Sequence, residues 1–234
     1  MITVIDYGAG NLRSVENALK HLQVPHAITS QPAEVAIAEA ILLPGVGHFG
    51  QMMRSLENLG LVAVLREALE RGVPYLGICL GMHALYERSE EAPSLPGLGV
   101  LRGTIRRFPE GLKVPHMGWN QLEIAPSSRL FEGVGAKPFV YFAHSYYLPK
   151  GDQSDAAQGG QNVASLADYG QPFVAAVETK NLCGVQFHPE KSGDIGLHIL
   201  GNFMEAIRKP SGRNPSGGNP SGRKAGSPGG ERAS

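Results

Sequence analysis

Tyr75-Leu76-Gly77-Ile78-Cys79-Leu80-Gly81-Met82-His83 is the stretch on which the reading of this chain turns. An apolar strand runs into a cysteine that has Gly77 and Gly81 two residues to either side, and a helical pattern follows. This is the pattern of a nucleophile elbow, a tight strand-to-helix turn that lifts one reactive side chain above the carboxyl edge of a sheet. The glycines let the strained backbone and its neighbours come close together. A thiol at the start of a helix also meets the positive end of the dipole, which favours the nucleophilic thiolate. Cys79 is therefore better placed for attack than for packing.

Around the elbow, short apolar strands alternate with amphipathic helices. Ile2 to Ile5 reads as a strand, and Leu12, Val15, Leu19 and Leu22 make a helical stripe. Ala40 to Leu43 is a second strand, stopped by Pro44-Gly45. Leu61 to Leu69 is a second helix, with Gly72 as its C-terminal cap, and Val73 to Ile78 leads into Cys79. Such alternation predicts parallel strands, right-handed crossovers and a ligand site beyond the strands' carboxyl ends. The later segments Leu98–Phe108, Phe139–Tyr147, Asn162–Leu166, Phe173–Glu178 and Leu182–Phe187 are β-rich, and a last helix runs from Gly193 to Arg208. The expected fold is α/β: a mostly parallel central sheet flanked by helices, with additional antiparallel strands. Residues 1–208 form the expected domain. The 209–234 tail repeats Pro-Ser-Gly units with almost no apolar content and is expected to be disordered.

Composition narrows the functional classes. The formal net charge of the 234 residues is zero, which gives no electrostatic case for nucleic acid or an acidic membrane. Two cysteines, Cys79 and Cys183, have neither CxxC spacing nor a disulfide framework, so a reducing cytoplasm is the expected home. Cys183 lacks an elbow and reads as core. Met1 to Asp6 has the pattern of a strand rather than a signal peptide, and no stretch approaches the ~18 apolar residues of a membrane span. No His/Cys cluster has metal-ligand spacing, and neither a metal nor an organic cofactor is expected.

A cysteine nucleophile needs a base, a group that orients the base, and donors for an oxyanion. The base candidate is His188 in Gly184-Val185-Gln186-Phe187-His188-Pro189-Glu190. Residues two apart in extended chain face one side, so His188 and Glu190 are expected to face Cys79 together. Taken alone, His-Pro-Glu equally describes a turn histidine beside a solvated glutamate. The amide of Leu80 is the first oxyanion donor. A second is expected from the glycine-rich turn Pro44-Gly45-Val46-Gly47, through Val46 and Gly47, although in isolation that turn also reads as a plain strand-ending loop.

Gly77–Met82, Pro44–Gly47 and Phe187-His188-Pro189-Glu190, in this order, resemble the class I (triad) glutamine amidotransferases across roughly residues 1 to 208. Within that family, four further stretches resemble the glutaminase subunits of imidazole glycerol phosphate synthase: Asp6–Val15, Pro115–Asn120, His144–Tyr147 and Lys191-Ser192. The resemblance implies a Cys79–His188–Glu190 triad that hydrolyses glutamine and passes ammonia to a (β/α)8-barrel cyclase subunit in a heterodimer. It also implies a glutamine pocket with Gly45, His83, His144, Ser145 and Tyr146, and a partner interface with Asn11, Trp119 and Lys191. The family usually has glutamine where this chain has His83, four residues after the nucleophile, and that substitution bears on glutamine binding. Two other readings remain at this stage: an amidotransferase subunit for another acceptor, of the anthranilate or aminodeoxychorismate type, and a catalytically silent regulatory domain.

Overall fold

The computed structural model describes residues 1–151 and 162–208, and the expected tail from 209 onward lies outside them. The parallel half comprises β1 (Ile2–Ile5), α1 (Leu12–His21), β2 (His26–Thr29), α2 (Pro32–Ala36), β3 (Ile41–Gly45), α3 (Phe49–Asn58), α4 (Leu61–Glu70), β4 (Tyr75–Cys79) and α5 (Leu80–His83). There follow β5 (Tyr86–Ser89), β6 (Leu101–Arg107), β7 (His116–Gln121), β8 (Glu123–Ile124), β9 (Phe139–His144), β10 (Tyr146–Pro149), β11 (Asn162–Asp168), β12 (Pro172–Glu178), β13 (Leu182–Val185) and α6 (Gly193–Arg208).

Every residue of β1, β3 and β4 is buried. Strands covered by helices on both faces bury both sets of side chains, which is why these segments read as unbroken apolar runs. Alternate residues divide between two cores. Leu42 and Leu76 join Val15 and Leu19 of α1 and Ile199, Leu200 and Phe203 of α6. Ile41, Leu43 and Tyr75 join Phe49 and Met52 of α3 and Leu61 and Leu65 of α4. Gly72, at φ +83°, follows the end of α4 as the sequence leads one to expect.

The main sheet runs β2-β1-β3-β4-β13-β12-β10-β6-β5, with β11 attached to β12 and β8 to β11. From β2 to β13 the pairing is parallel, and β12 begins the antiparallel extension. β7 and β9 pair separately as an antiparallel ribbon. Register sets the site: Gly45 of β3 pairs Cys79 of β4, and Ile78 pairs Val185 of β13. The carboxyl ends of three adjacent strands thus present the Pro44–Gly47 turn, Cys79 and the segment leading to His188 side by side.

Two expectations change. The helix after Cys79 has only four residues, because β5 begins three residues beyond it. One turn carries little of a macrodipole, so the dipole contributes less to Cys79 than a long helix would. The segment expected as β-rich over Phe139–Tyr147 divides at Ser145 between two sheets: β9 pairs with β7, while β10 joins the main sheet.

Candidate active site

The elbow holds its strain on the cysteine itself. Cys79 has φ 53° and ψ −107°, a conformation that costs a non-glycine residue roughly 1–3 kcal/mol. The flanking glycines serve close approach. A Cβ on Gly81 would lie 1.9 Å from the Leu43 carbonyl oxygen, one on Gly77 2.3 Å from the Gly81 oxygen, and one on Gly45 2.5 Å from Leu80 Cβ. All three distances are far inside van der Waals contact, so the turn between β4 and α5 fits against β3 only with hydrogen at these positions. The Tyr75 hydroxyl donates to the Gly81 carbonyl at 2.7 Å and fixes the turn from below.

His188 and Glu190 meet as an ion pair, Nδ1 to Oε1 at 2.9 Å, with both side chains 2% exposed. The reason differs from strand alternation. His188 has extended backbone after a bend at Gln186 and Phe187, and Pro189–Lys191 is a 3-10 turn that swings Glu190 back beside the ring. Backbone bonds hold the corner: His188 N–H donates to the Tyr141 carbonyl at 2.8 Å, and the Ser192 hydroxyl donates to the His188 carbonyl at 2.7 Å. Burial opposes a charge on His188. Its bonds to Cys79 and to Glu190, and the negative charge of both, outweigh that and push the imidazolium pKa up to about 10. The ring therefore keeps its proton at neutral pH beside the sulfur.

Cys79 and His188 line a cavity of about 450 Å³ together with Val46, Gly47, Leu80, His83, His144, Ser145, Tyr146, Asn11 and Lys191. Leu80 opens α5, so its N–H has no partner one turn back in the helix. Gly47, at φ +93°, takes the left-handed backbone suited to an outward-aimed amide. The Val46 amide is engaged: it donates to the Tyr7 hydroxyl at 3.3 Å. Tyr7 is buried, and burial pushes its pKa up to about 12, so it remains a neutral phenol. Sequence reasoning assigned Tyr7 no role, since its partner lies 39 positions away.

The pocket histidines are less available than the sequence implies. His144 Nδ1 bonds the Tyr146 carbonyl at 2.8 Å and its Nε2 bonds His116 Nδ1 at 2.9 Å, which occupies both ring nitrogens. Asn120 Nδ2 lies 3.3 Å from His116 Nε2. An amide donor at that end makes His116 Nδ1 the proton-bearing nitrogen, and the relay ends on the Tyr146 carbonyl. Burial lowers the pKa of His116 to about 4 and that of His144 well below the usual range. His83 is buried and bonds Gln186 Oε1 through Nε2 at 2.7 Å, while its Nδ1 has no partner among the described residues. Burial, only partly offset by that bond, lowers its pKa to about 4. Gly45 lies beneath Leu80 rather than on the cavity wall.

The expected interface residues divide. Asn11 and Lys191 stand at the cavity, and Trp119 lies on the ribbon, 56% exposed. Met117 and Phe139 extend that apolar surface, and Tyr141 links it to the site by contacting both Trp119 and Lys191. Cys183 is buried with its pKa raised by burial to about 12, as befits a core thiol. Among the described residues, no cluster of three or more His, Cys, Asp or Glu could hold a metal ion. Likewise, no helix there is long and apolar enough to cross a membrane.

Comparison with known proteins bears on this geometry. The family described as glutamine amidotransferase class-I matches residues 3–207. A curated relative, imidazole glycerol phosphate synthase subunit HisH of Moorella thermoacetica, is 45% identical over 207 residues, covering 88% of this chain and 95% of its own length. The subunit of the same name from Aquifex aeolicus is also 45% identical, over 88% of this chain and 97% of its own. Among solved structures, a glutamine amidotransferase superposes with a TM-score of 0.68 at 22% identity, over 89% of this chain and all of the other. The glutaminase domain of Trypanosoma brucei CTPS, with bound acivicin, gives 0.65 at 20% identity, over 92% of this chain and 96% of the other. At those identities the structures speak for the fold.

Proposed function

The chain belongs to the class I glutamine amidotransferase family, and on that premise we propose that it is the glutaminase subunit of an imidazole glycerol phosphate synthase, acting in histidine biosynthesis. It hydrolyses glutamine to glutamate and ammonia for use by a partner subunit. The observation that carries the chemistry is the buried His188–Glu190 pair set against the sulfur of a strained cysteine at the head of a cavity. The subfamily rests on relatives matched over nearly their whole length.

In this mechanism Cys79 attacks the side-chain carbonyl carbon of glutamine as a thiolate, forming a carbon–sulfur bond. The carbonyl oxygen takes up negative charge, which the amides of Leu80 and Gly47 receive. Val46 contributes a further donor once its amide exchanges the Tyr7 hydroxyl for the oxyanion. His188 gives its proton to the departing nitrogen, so ammonia leaves and a γ-glutamyl thioester remains. The now neutral ring takes a proton from water, the hydroxide displaces the sulfur, and glutamate leaves with the thiolate and imidazolium restored. Glu190 keeps the ring oriented and stabilises its charged form. His83 Nδ1, an acceptor in its neutral ring, suits an N–H donor on the substrate. Backbone around Ser145 and Tyr146 forms the opposite wall, stiffened by the His116–His144 relay.

Ammonia is useful to a second reaction only if it is delivered before it is protonated or lost. The partner is a (β/α)8-barrel cyclase, which covers the exposed Met117–Trp119–Phe139 surface. Lys191, over the Tyr141 ring, links that surface to the cavity that Asn11 also lines, and the assembly is a cytoplasmic heterodimer. The test is glutamate release from glutamine by the full chain, alone and with the cyclase subunit and its ligand. Glutamine-dependent release that disappears in Cys79→Ala supports the proposal. No release by wild type in the assembled complex refutes it.

A further inference from the structure

The sulfur of Cys79 has a second neighbour besides His188. Gln186 Nε2 lies 3.6 Å from Cys79 Sγ, within reach of a bond to an atom as large as sulfur. Gln186 and His188 both reach the nucleophile from the segment after β13, which bends at Gln186 and Phe187. The Gln186 amide still donates to the Ala175 carbonyl at 2.8 Å, and Phe187 between the two turns into the core. Gln186 is wholly buried, and His83 is 2% exposed.

A carboxamide has a donor end and an acceptor end, so its orientation decides what it does to the sulfur. Gln186 Oε1 lies 2.7 Å from His83 Nε2. With Nε2 carrying the ring proton, His83 donates to that oxygen and the amide N–H points at Sγ. His83 Nδ1 is then a bare acceptor, in keeping with its having no donor partner among the described residues at a buried position on the cavity wall. The reverse orientation would set a carbonyl oxygen against a thiolate and repel it. We propose that Gln186 is a positioning residue for the nucleophile: its side-chain N–H holds the Cys79 thiolate as a second donor beside His188, and His83 fixes the carboxamide in that orientation. Loss of the amide donor removes a bond to a charged group, which raises the thiol pKa. The position four residues beyond the nucleophile thereby acts on the sulfur as well as on the cavity.

This assignment deepens the glutaminase reading and rests on Cys79 as the nucleophile of that reaction. Its test reads the thiol directly: the rate of Cys79 alkylation by iodoacetamide against pH, in the full chain carrying Cys183→Ala. Gln186→Leu keeps the volume and removes the donor. Its midpoint is expected to rise by about one to two pH units, with alkylation at pH 7 slowed about 10-fold or more. His83→Phe shifts the midpoint the same way by a smaller amount, and the double variant goes no further than Gln186→Leu. His83→Gln, whose carboxamide can still donate to Gln186, restores the wild-type profile. Should Gln186→Leu fail to fold, the contrast between His83→Phe and His83→Gln decides. Wild-type midpoints in both Gln186→Leu and His83→Phe would overturn the assignment, as would a downward shift. Glutamate release, measured separately, tests the reaction itself. A shifted midpoint in a chain that releases no glutamate would keep Gln186 in place and sink the glutaminase reading.

Discussion

The buried histidines in and around one cavity fall into two kinds that behave in opposite ways. At the corner after β13, His188 bonds Glu190 and Cys79, and its affinity for a proton rises to about 10. On the ribbon and at the end of α5, His116 and His83 fall to about 4, and His144 falls as well. Burial disfavours the charged ring in all four. What separates them is the charge of their partners: a carboxylate and a sulfur in one case, a neutral histidine, a carbonyl and a carboxamide in the others. One region is built to carry an imidazolium, and the other to hold neutral rings in fixed tautomers that shape a wall. In this molecule the partner, more than the depth of burial, decides which histidine keeps its proton at neutral pH.

The largest way to break this contrast is His188→Gln. Glutamate release is expected to fall about 1,000-fold or more in a steady-state assay with the partner subunit. The same variant tests linkage. The folded pKa near 10 exceeds the unfolded value near 6.5, so the stability His188 contributes is fully present below about pH 6.5 and is lost as pH rises through about 10. Thermal melts should therefore show the gap between wild type and His188→Gln closing at alkaline pH. An unchanging gap contradicts the charged pair.

Glu190→Gln converts the first region toward the second by replacing a charged partner with a neutral one. Activity is expected to drop about 10- to 100-fold, and the alkaline limb of the rate profile to move to lower pH as the ring gives up its proton more readily. An unmoved alkaline limb would separate Glu190 from the titration of His188.

The neutral histidines predict acid sensitivity. Their folded pKa values lie below the unfolded value, so stability is present above about pH 6.5 and is lost as pH falls toward 4. His83→Gln removes one such group. It should flatten the fall in unfolding free energy between pH 6.5 and 4 by on the order of 1–3 kcal/mol, as read by denaturant titration. A smaller effect belongs to the elbow. Glycine takes the φ 53° of Cys79 without Cβ strain, so Cys79→Gly should be more stable than Cys79→Ala by about 1 kcal/mol.

Much of this was legible in the sequence, and unevenly. The elbow, the His-Pro-Glu corner and the alternation of apolar strands with amphipathic helices are local patterns, and each lies where its pattern predicts. Glu190 reached His188 through a 3-10 turn that proline initiates, not through strand alternation. The ribbon strand β7 was missed because only His116 of its six residues is buried, while Met117 and Trp119 stand exposed, so no apolar run marks it. α3 carries buried Phe49, Met52, Met53 and Leu56 at helical spacing, a signal present in the sequence and not used. Tyr7 with Val46, and His83 with Gln186, are pairs made by tertiary approach across 39 and 103 positions. No local pattern announces such pairs.

The central claim is that one thiol, Cys79, carries the substrate's γ-glutamyl group during turnover. Acid-quenching the full chain with its partner subunit, ligand and excess glutamine, then mapping covalent adducts by peptide mass spectrometry, tests this most directly. The expected result is a γ-glutamyl adduct on the peptide containing Cys79 and none on that containing Cys183, accumulating further when Glu190 is replaced by glutamine. Glutamate release with no adduct on Cys79, or with the adduct on Cys183, would contradict the account.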